Sequence, residues 1–307
     1  MSDRRSTTPP PANEPVKAYG PGSPERASLV ARLDELASET IEAPCVIDGR
    51  DVVTGTTFDA RAPHDHDLHL ATVHAAGRRE VDSAIEAAQA AKHDWAAMDW
   101  RDRAAIFLRA ADLLSGPWRD TVNGATMLHQ SKTVQQAEID SACELIDFWR
   151  YNVHLYGEIL ETQPYSPDGV WNQLEYRPLD GFVLAVTPFN FTAIAGNLPT
   201  APAICGNTVV WKPSEKQAFA AHFLMRLLQA AGLPDGVINL VHGDGAMVTD
   251  VATQHPDFAG LHFTGSKDVF QGLWRTVGER IGTYRNFPRV VGETGGKDFV
   301  VAHHSAD

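Results

Sequence analysis

The spacing of hydrophobic positions divides the chain into an amino-terminal part of long helices and a second part in which short strands and helices alternate. Apolar residues recur at helical intervals over residues 26–42. The same periodicity returns in longer stretches that begin at Arg79, Asp99 and Ser131. Between these helical regions, residues 44–49 predict a strand and turn, and residues 51–74 predict edge strands and loops.

After Gly181 the pattern changes to short apolar runs of the buried-strand type, each followed by a helical stretch. The predicted strands cover residues 182–186, 207–211, 236–241, 260–263 and 289–291. The predicted helices cover residues 216–231, 246–253 and 266–281. Such alternation is typical of a parallel sheet covered on both faces. Because the crossovers are right-handed, the sequence predicts an α/β fold with a doubly wound, Rossmann-like parallel sheet.

Residues 163–180 stand apart from both patterns. Pro164, Pro167 and Gly169 mark turns, and residues 170–176 alternate between apolar and polar side chains as a strand does. The segment therefore predicts a β-hairpin between the two parts of the chain. The pattern alone fits an ordinary edge hairpin as well as one that protrudes from the body.

Composition narrows the class of protein. Hydrophobic residues make up 43% of the 307 residues and charged residues 21%, as in soluble globular proteins of one or two domains. The formal net charge is −13, and an acidic surface argues against nucleic acid or an anionic membrane as a partner. No apolar run approaches the roughly 18 residues that a membrane-spanning helix needs.

The amino terminus and the cysteines both indicate a cytoplasmic protein. Residues 1–25 are polar and proline-rich without the apolar segment of a secretory signal, and they predict a disordered or extended arm. Cys45, Cys143 and Cys205 are widely spaced and odd in number. They suggest reduced thiols in place of a disulfide framework, and no metal site is predicted.

Four short segments resemble the aldehyde dehydrogenase superfamily in their order and intervals. They are TPFNFT at 187–192, WKPSE at 211–215, FTGS at 263–266 and GETGGK at 292–297. Further segments resemble its 1-pyrroline-5-carboxylate (L-glutamate γ-semialdehyde) dehydrogenase branch. They are QAEID at 136–140, DFWRYN at 147–152, EYRPL at 175–179 and TAIAGNL at 192–198. The resemblance runs from about residue 14 to residue 307.

The resemblance implies a division of the chain and a mode of assembly. Residues 26–162 would be the helical part of an NAD-binding domain, and residues 181–295 its Rossmann-like core. Residues 163–180 would form a hairpin that makes subunit contacts in a homo-oligomer. Residues 296–307 would begin a catalytic domain, whose nucleophilic cysteine lies a few dozen residues beyond GETGGK in this family.

The same resemblance assigns roles in aldehyde oxidation. Asn190, just past a predicted strand, would donate its amide N–H to the oxyanion formed during attack on the aldehyde. Glu293, in a glycine-rich segment after another strand, would act as general base, with a pKa raised by an apolar pocket. Phe191 would form an apolar wall for the substrate, and Glu144 would line the substrate channel or lie salt-bridged at the surface. Alone, Asn190 fits a turn residue and Glu293 a surface loop.

The implied cofactor is NAD. Thr187 would contact its nicotinamide end, and Lys212 and Glu215 its adenosine ribose, although this pair also fits a solvated pair at a helix start. The turn after the next strand would hold the pyrophosphate at a helix amino terminus. That turn consists of Gly265, Ser266, Lys267, Asp268 and Val269. The usual G-x-G-x-x-G fingerprint is absent, as the family implies.

None of the three cysteines has the surroundings of the family's nucleophile. We therefore expect an amino-terminal portion of an NAD-dependent L-glutamate γ-semialdehyde dehydrogenase of proline catabolism, inactive by itself. Two alternatives stay open on the sequence. One is a non-catalytic dinucleotide-binding or interaction protein, and the other is an aldehyde dehydrogenase with a different aldehyde substrate.

Overall fold

The structure, a computed structural model that describes residues 10–297 and 299–306, contains two β-sheets with helices packed around them. The strands are β1 Ile41–Ala43, β2 Cys45–Ile47, β3 Arg50–Val52, β4 Thr57–Ala62, β5 Asp65–His74, β6 Phe182–Val186, β7 Thr208–Lys212, β8 Ile238–Leu240, β9 Phe258–Gly265 and β10 Arg289–Thr294. The helices are α1 Pro24–Ser38, α2 Arg78–Ala97, α3 Trp100–Ser115, α4 Arg119–Gln130, α5 Val134–Ala137, α6 Leu145–Glu161, α7 Thr192–Ile204, α8 Ala218–Ala230, α9 Gly245–Gln254 and α10 Lys267–Glu279. A π-helical turn, Glu138–Glu144, joins α5 to α6.

The larger sheet has the strand order β10-β9-β6-β7-β8-β2-β3. Strands β6 to β10 are mutually parallel, and β2 and β3 extend the far edge in antiparallel orientation. The chain starts the parallel part at β6, adds β7 and β8 on one side, and then adds β9 and β10 on the other. The order therefore reverses between β6 and β9, which is where doubly wound sheets bind their ligands. The predicted α/β fold is confirmed.

Alternating side chains of β6 fill two separate cores, one on each face of the sheet. Val183 and Ala185 point into a core shared with α3, α6, α7 and α8, whereas Phe182 and Leu184 point into one shared with α2, α9 and α10. All four are buried. Full burial of a side chain such as Phe182 stabilises the fold by about 1.5–3 kcal/mol, so both faces fix the register of this central strand.

The smaller sheet has the order β1-β5-β4. Strands β4 and β5 come from residues predicted as edge strands and loops, whereas β1 begins within residues 26–42, where a helix was predicted and α1 ends at Ser38. The inner face of this sheet is fully buried at Leu70 and Val73, which share a core with Ala125 of α4 and Phe219 of α8. The helix α4 was not predicted from the sequence. It packs against β4 on one side and against the π-helical turn on another.

The Gly/Pro-rich stretch after residue 191 is the helix α7, not a loop. Pro199 and Pro202 lie inside it, and proline removes a backbone donor from a helix interior. The carbonyl of Leu198, which Pro202 cannot serve, lies 3.0 Å from Nδ1 of His262 on β9. The Thr200 hydroxyl donates to the carbonyl of Gly196 at 2.7 Å. The distant His262 side chain thus takes the place of the donor that Pro202 lacks, while the Thr200 hydroxyl adds a bond to a carbonyl that its own N–H can already serve.

Residues 163–180 form an exposed arm without the predicted β-ladder. Side chains link its two limbs instead, since Leu174 N–H donates to Oε1 of Gln163 at 2.8 Å and Asn172 N–H donates to Oγ of Ser166 at 2.9 Å. Proline at two positions of the first limb leaves no continuous row of backbone donors. The strand prediction for residues 170–176 was therefore wrong, while the role of the arm stays a prediction.

The amino-terminal segment is docked from Asn13 onward, contrary to the predicted loose arm. The backbone N–H groups of Glu14 and Lys17 donate at 2.7 Å to Asp147 and Glu138, and the Tyr19 hydroxyl donates to Glu138 at 2.8 Å. Backbone donors that find buried carboxylates order a polar segment without an apolar core. Residues 1–9 of the predicted arm lie outside the described residues, and α1 begins at Pro24.

Candidate functional site

The carboxyl ends of β6, β7, β9 and β10 open into one cleft of about 800 Å³. It lies at the switch in strand order, so the fold itself selects this place for a ligand. Eight of the predicted site residues line the cleft: Thr187, Asn190, Phe191, Lys212, Gly265, Ser266, Val269 and Glu293. Glu144, Glu215, Lys267 and Asp268 do not line it.

Asn190 and Phe191 lie between β6 and the start of α7, and both side chains are exposed to the cleft. Among residues 10–297 and 299–306, the Asn190 side-chain amide has no hydrogen-bond partner. The backbone carbonyl of Asn190 accepts a hydrogen bond from the Lys132 ammonium, which also lies 4.5 Å from the centre of the Phe191 ring. The amide of Asn190 is therefore free to meet a ligand while its backbone is held.

The start of α7 is held by a buried carboxylate that the sequence did not single out as a site residue. Asp140, in the π-helical turn, accepts from the N–H groups of Thr192 and Ala193 at 3.0 Å each. Its third contact is with the Lys132 ammonium, which donates to it at 2.6 Å. Asp140 is only 3% exposed. A carboxylate at a helix amino terminus satisfies free N–H groups and interacts favourably with the helix dipole.

Lys212 ends β7 as an almost fully buried cation at the floor of the cleft. Burial lowers the pKa of Lys212, although the nearby carboxylates of Glu215 and Asp244 oppose that shift. The described residues offer the ammonium no hydrogen-bond acceptor. Gly245 stands beside it, since a Cβ at this glycine would lie 3.3 Å from Nζ. A buried cation without a partner is costly alone and favours a polar or anionic ligand.

Thr187 and Glu215 occupy different places around this lysine. Thr187 is buried, and its hydroxyl accepts from the Trp211 indole N–H at 3.1 Å, so it braces the end of the strand as well as lining the cleft. Glu215 is exposed at a 3₁₀ turn outside the lining. Thr187 is therefore placed to contact a cofactor in the cleft, whereas Glu215 is not.

The turn from β9 to α10 supplies the far wall of the cleft. Ser266 caps α10, its hydroxyl accepting from the Val269 N–H at 3.3 Å. A Cβ on Gly265 would come within 2.7 Å of the Phe263 ring, so glycine keeps this turn tight. Lys267 and Asp268 project to solvent. The turn therefore presents a helix amino terminus to the cleft, as its predicted role requires.

Glu293 lies on β10 with its side chain exposed, so the predicted apolar pocket around it is absent from the described residues. The physical reason is position, because β10 is the edge strand of the larger sheet. A Cβ on Gly292 would come within 2.2 Å of the Phe270 ring, which packs against this strand, and Gly295 has a φ of +99°. The glycines thus serve tight packing and a left-handed turn on either side of the carboxylate.

Glu144 lines a second cavity of about 290 Å³ that shares Glu293 with the main cleft. Partial desolvation of its carboxyl group, followed by the neighbouring charge of Asp140, raises the pKa of Glu144, and Glu293 adds to the same shift. The carboxyl groups at 144 and 293 therefore interact across one cavity. This proximity was not predicted from the sequence, since the two residues come from distant segments.

The cysteines lie away from the cleft. Burial raises the pKa of Cys45 to about 11, that of Cys143 to about 12 and that of Cys205 to about 11. A thiol of such high pKa carries almost no thiolate near neutral pH and is a poor nucleophile. These surroundings are typical of structural thiols.

Neither a metal centre nor a membrane-spanning helix is found in the described part of the chain. Over residues 10–297 and 299–306, no three His, Cys, Asp or Glu side chains group in a way that could hold a metal ion. Within the same residues, no helix combines the length and apolar character needed to cross a bilayer.

The doubly wound sheet and its cleft define an α/β domain with a ligand site at the switch point. Residues 52–307 match the sequence profile of the aldehyde dehydrogenase family. The chain belongs to the aldehyde dehydrogenase family.

Several relatives carry a more specific name. The delta-1-pyrroline-5-carboxylate dehydrogenase of Agaricus bisporus is 49% identical over 97% of this chain and 55% of its own length. A probable delta-1-pyrroline-5-carboxylate dehydrogenase of Schizosaccharomyces pombe is 47% identical over 96% of this chain and 55% of its own length. The chain thus spans about half the length of the curated relatives it matches.

Solved structures agree with the sequence relatives. A crystal structure of the Mycobacterium tuberculosis delta-pyrroline-5-carboxylate dehydrogenase bound with NAD superposes with a TM-score of 0.95 at 58% identity, over 100% of this chain and 57% of that one. A Thermus 1-pyrroline-5-carboxylate dehydrogenase with bound NAD gives a TM-score of 0.85 at 26% identity, over 95% of this chain and 56% of its own.

Proposed function

We propose that this chain supplies the NAD-binding cleft and two catalytic side chains of a dehydrogenase that oxidises L-glutamate γ-semialdehyde to L-glutamate. The observation that carries the proposal is the convergence of Asn190, Lys212, Ser266 and Glu293 on one cleft at the switch point of the sheet. The names of the relatives at 45–49% identity support this substrate, as does the NAD bound in similar solved structures.

The residues of the cleft fit a dinucleotide. The partnerless ammonium of Lys212 and the absence of a side chain at Gly245 leave a polar, open place suited to ribose hydroxyls. The amino terminus of α10 at Ser266 suits the pyrophosphate. Thr187 lies beside Lys212, its backbone N–H donating to the Lys212 carbonyl at 3.1 Å. When bound, NAD supplies the hydride acceptor for the oxidation.

The chain's own groups divide the remaining chemistry between them. The free amide of Asn190 donates to the oxygen of the aldehyde as negative charge develops there, and loss of such a donor costs about 2.7–4 kcal/mol of barrier. Glu293 takes a proton from water during hydrolysis of the acyl group. Phe191 limits the width of the site beside Asn190. Glu293 is exposed at the edge of the sheet, so its proposed role requires another surface to cover it during turnover.

The nucleophile is not one of the three cysteines of this sequence, because all three are remote from the cleft and have raised pKa values. The proposal therefore requires a cysteine from outside residues 1–307, on more of the same polypeptide or on another chain. We expect the 307-residue chain by itself to bind NAD without oxidising aldehydes.

Assembly and location stay predictions. The exposed arm at 163–180 carries Tyr165 at 83% and Trp171 at 79% exposure, which supports a subunit contact in a homo-oligomer. We keep the predicted cytoplasmic location, although several relatives, such as that of Danio rerio, are named as mitochondrial.

The test uses the native-length gene product and follows NADH formation with L-glutamate γ-semialdehyde and with pentanal, which lacks the α-amino and α-carboxylate groups. We expect a higher kcat/KM for the semialdehyde. Glu293→Gln should lower kcat by about 10²–10⁴-fold, whereas Glu279→Gln, an exposed carboxylate on α10, should leave it unchanged. Preference for pentanal would favour the alternative aldehyde substrate. NAD binding without any turnover would favour the non-catalytic alternative.

A further inference from the structure

The segment that carries Asn190 is fixed by two charged residues from a part of the chain far from it in sequence. Asp140 is separated by 52 positions from Thr192, whose N–H it accepts. Lys132 is separated by 58 positions from Asn190, to whose backbone carbonyl it donates. Asp140 lies in the π-helical turn and Lys132 in the loop before α5. Together they hold Asn190 and the residues that follow it, next to the cleft.

We propose that Lys132 and Asp140 are positioning residues that aim the Asn190 amide at the reacting oxygen. The proposal rests on the function proposed above and deepens it. Lys132 acts on Asn190 directly through the carbonyl, and Asp140 holds both Lys132 and the first turn of α7. Neither residue touches the substrate or the cofactor in this assignment.

Burial makes these contacts specific. The Asp140 side chain is 4% exposed and that of Lys132 is 14% exposed, so the pair is screened little by solvent. The three acceptor contacts of Asp140 use both of its carboxylate oxygens. These three contacts fix the orientation of the carboxylate. Its bond to Lys132 in turn fixes the position of the ammonium group.

Side chains of α4 also hold the first turn of α7. The hydroxyls of Thr126 and Thr192 lie 2.8 Å apart, and the Gln130 side-chain amide donates to Thr192 at 2.7 Å. The backbone of Thr192 is therefore fixed by Asp140, and its side chain by α4. With the first turn of α7 held in this way, Asn190 can still move by rotation of its own peptide group. The hydrogen bond from Lys132 to the Asn190 carbonyl restrains that rotation.

Asp140 lies in a π-helical turn. A π turn adds a residue relative to an α-helix and turns its side chains away from the regular helix face, and such turns are frequent at functional sites. Here the π-helical turn places Asp140 beneath the start of α7 and also carries Glu144, which lines the cavity shared with Glu293.

The kinetic test is a double-mutant cycle in the native-length protein. Lys132→Met should lower kcat by about 10–100-fold with little change in the KM for the aldehyde, since small displacements of a catalytic group have effects of this size. In an Asn190→Ala background the same change should cost less than about 2-fold. Lys132→Arg, which keeps the charge, should restore part of the rate. Equal losses in both backgrounds would overturn the proposal.

The second measurement needs no turnover and therefore separates failure of this proposal from failure of the proposed function. Hydrogen–deuterium exchange should be faster over residues 190–194 in Lys132→Met and in Asp140→Asn than in the wild type. Lys92→Met breaks an ion pair of similar length with Asp180, away from the cleft, and should leave that segment unchanged. Unaltered exchange at 190–194 in both site variants refutes positioning, even if the wild-type protein oxidises no aldehyde.

Discussion

Replacing Glu138 by glutamine should destabilise the fold by about 3–5 kcal/mol, the usual cost of removing one partner from a buried ion pair. Glu138 has no exposed surface, and Arg119 beside it is 1% exposed. The carboxylate accepts from Arg119, from the Tyr19 hydroxyl, from the Asn123 amide and from the Lys17 N–H. Glutamine has the same shape but turns one acceptor oxygen into a donor, which would then face other donors.

The pKa of Glu138 gives an independent magnitude. Burial alone would raise this pKa, but the hydrogen bonds from Arg119 and its neighbours outweigh burial and lower the pKa from 4.5 to about 2. At about 1.4 kcal/mol for each tenfold change, this corresponds to about 3 kcal/mol. Because the folded pKa is depressed, this stability is present above pH 4.5 and is lost as the pH falls from 4.5 towards 2.

Urea unfolding at pH 7, followed by tryptophan fluorescence, measures the effect. With a slope of about 3 kcal/mol/M, a loss of about 3 kcal/mol moves the midpoint down by about 1 M. Glu161→Gln, at the exposed end of α6, is the matched control and should shift the midpoint by less than about 0.2 M. The reasoning is refuted if Glu138→Gln behaves like this control, or if its deficit stays constant from pH 7 to pH 3.

Three other outcomes are expected. Lys212→Met should weaken NAD binding by about 10–100-fold, as for a lost charge-assisted hydrogen bond of about 1.5–3 kcal/mol; calorimetric titration that gives equal affinities would contradict this. Gly181→Ala should destabilise by more than about 2 kcal/mol in thermal unfolding, because φ is +148° and the new Cβ would lie 2.0 Å from the carbonyl of Asp257. Lowering the pH from 7 to 5 should lower Tm, since burial depresses the pKa of three histidines well below 6.5. In this pH range these histidines bind protons in the unfolded chain but not in the folded one, which favours unfolding. A Tm that does not change between pH 7 and pH 5 would contradict this. These histidines are His129 at about 4, His222 at about 4 and His242 at about 3.

The local pattern of the sequence was enough to predict the doubly wound core. A buried parallel strand such as β6 or β7 needs an unbroken apolar run, and the helices between strands need a repeating apolar face. Residues that follow such strands meet at one edge of the sheet, so the sequence alone leads to the expectation that Asn190 and Lys212 share a cleft, and both line it. These features depend on neighbours within a few positions along the chain.

Tertiary structure decided the features that depend on distant partners. The helix α7 keeps Pro202 in its interior with His262 of β9 beside the carbonyl that the proline leaves without a donor, and nothing in the local sequence reveals this. The amino-terminal segment is ordered because its N–H groups find the buried carboxylate of Glu138, 121 positions away from Lys17. The hydrogen bond from Lys132 to the Asn190 carbonyl likewise joins two segments that the hydrophobic periodicity of the sequence does not relate. Periodicity reports which face of an element is buried, whereas the pairing of buried polar groups depends on which elements the fold brings together.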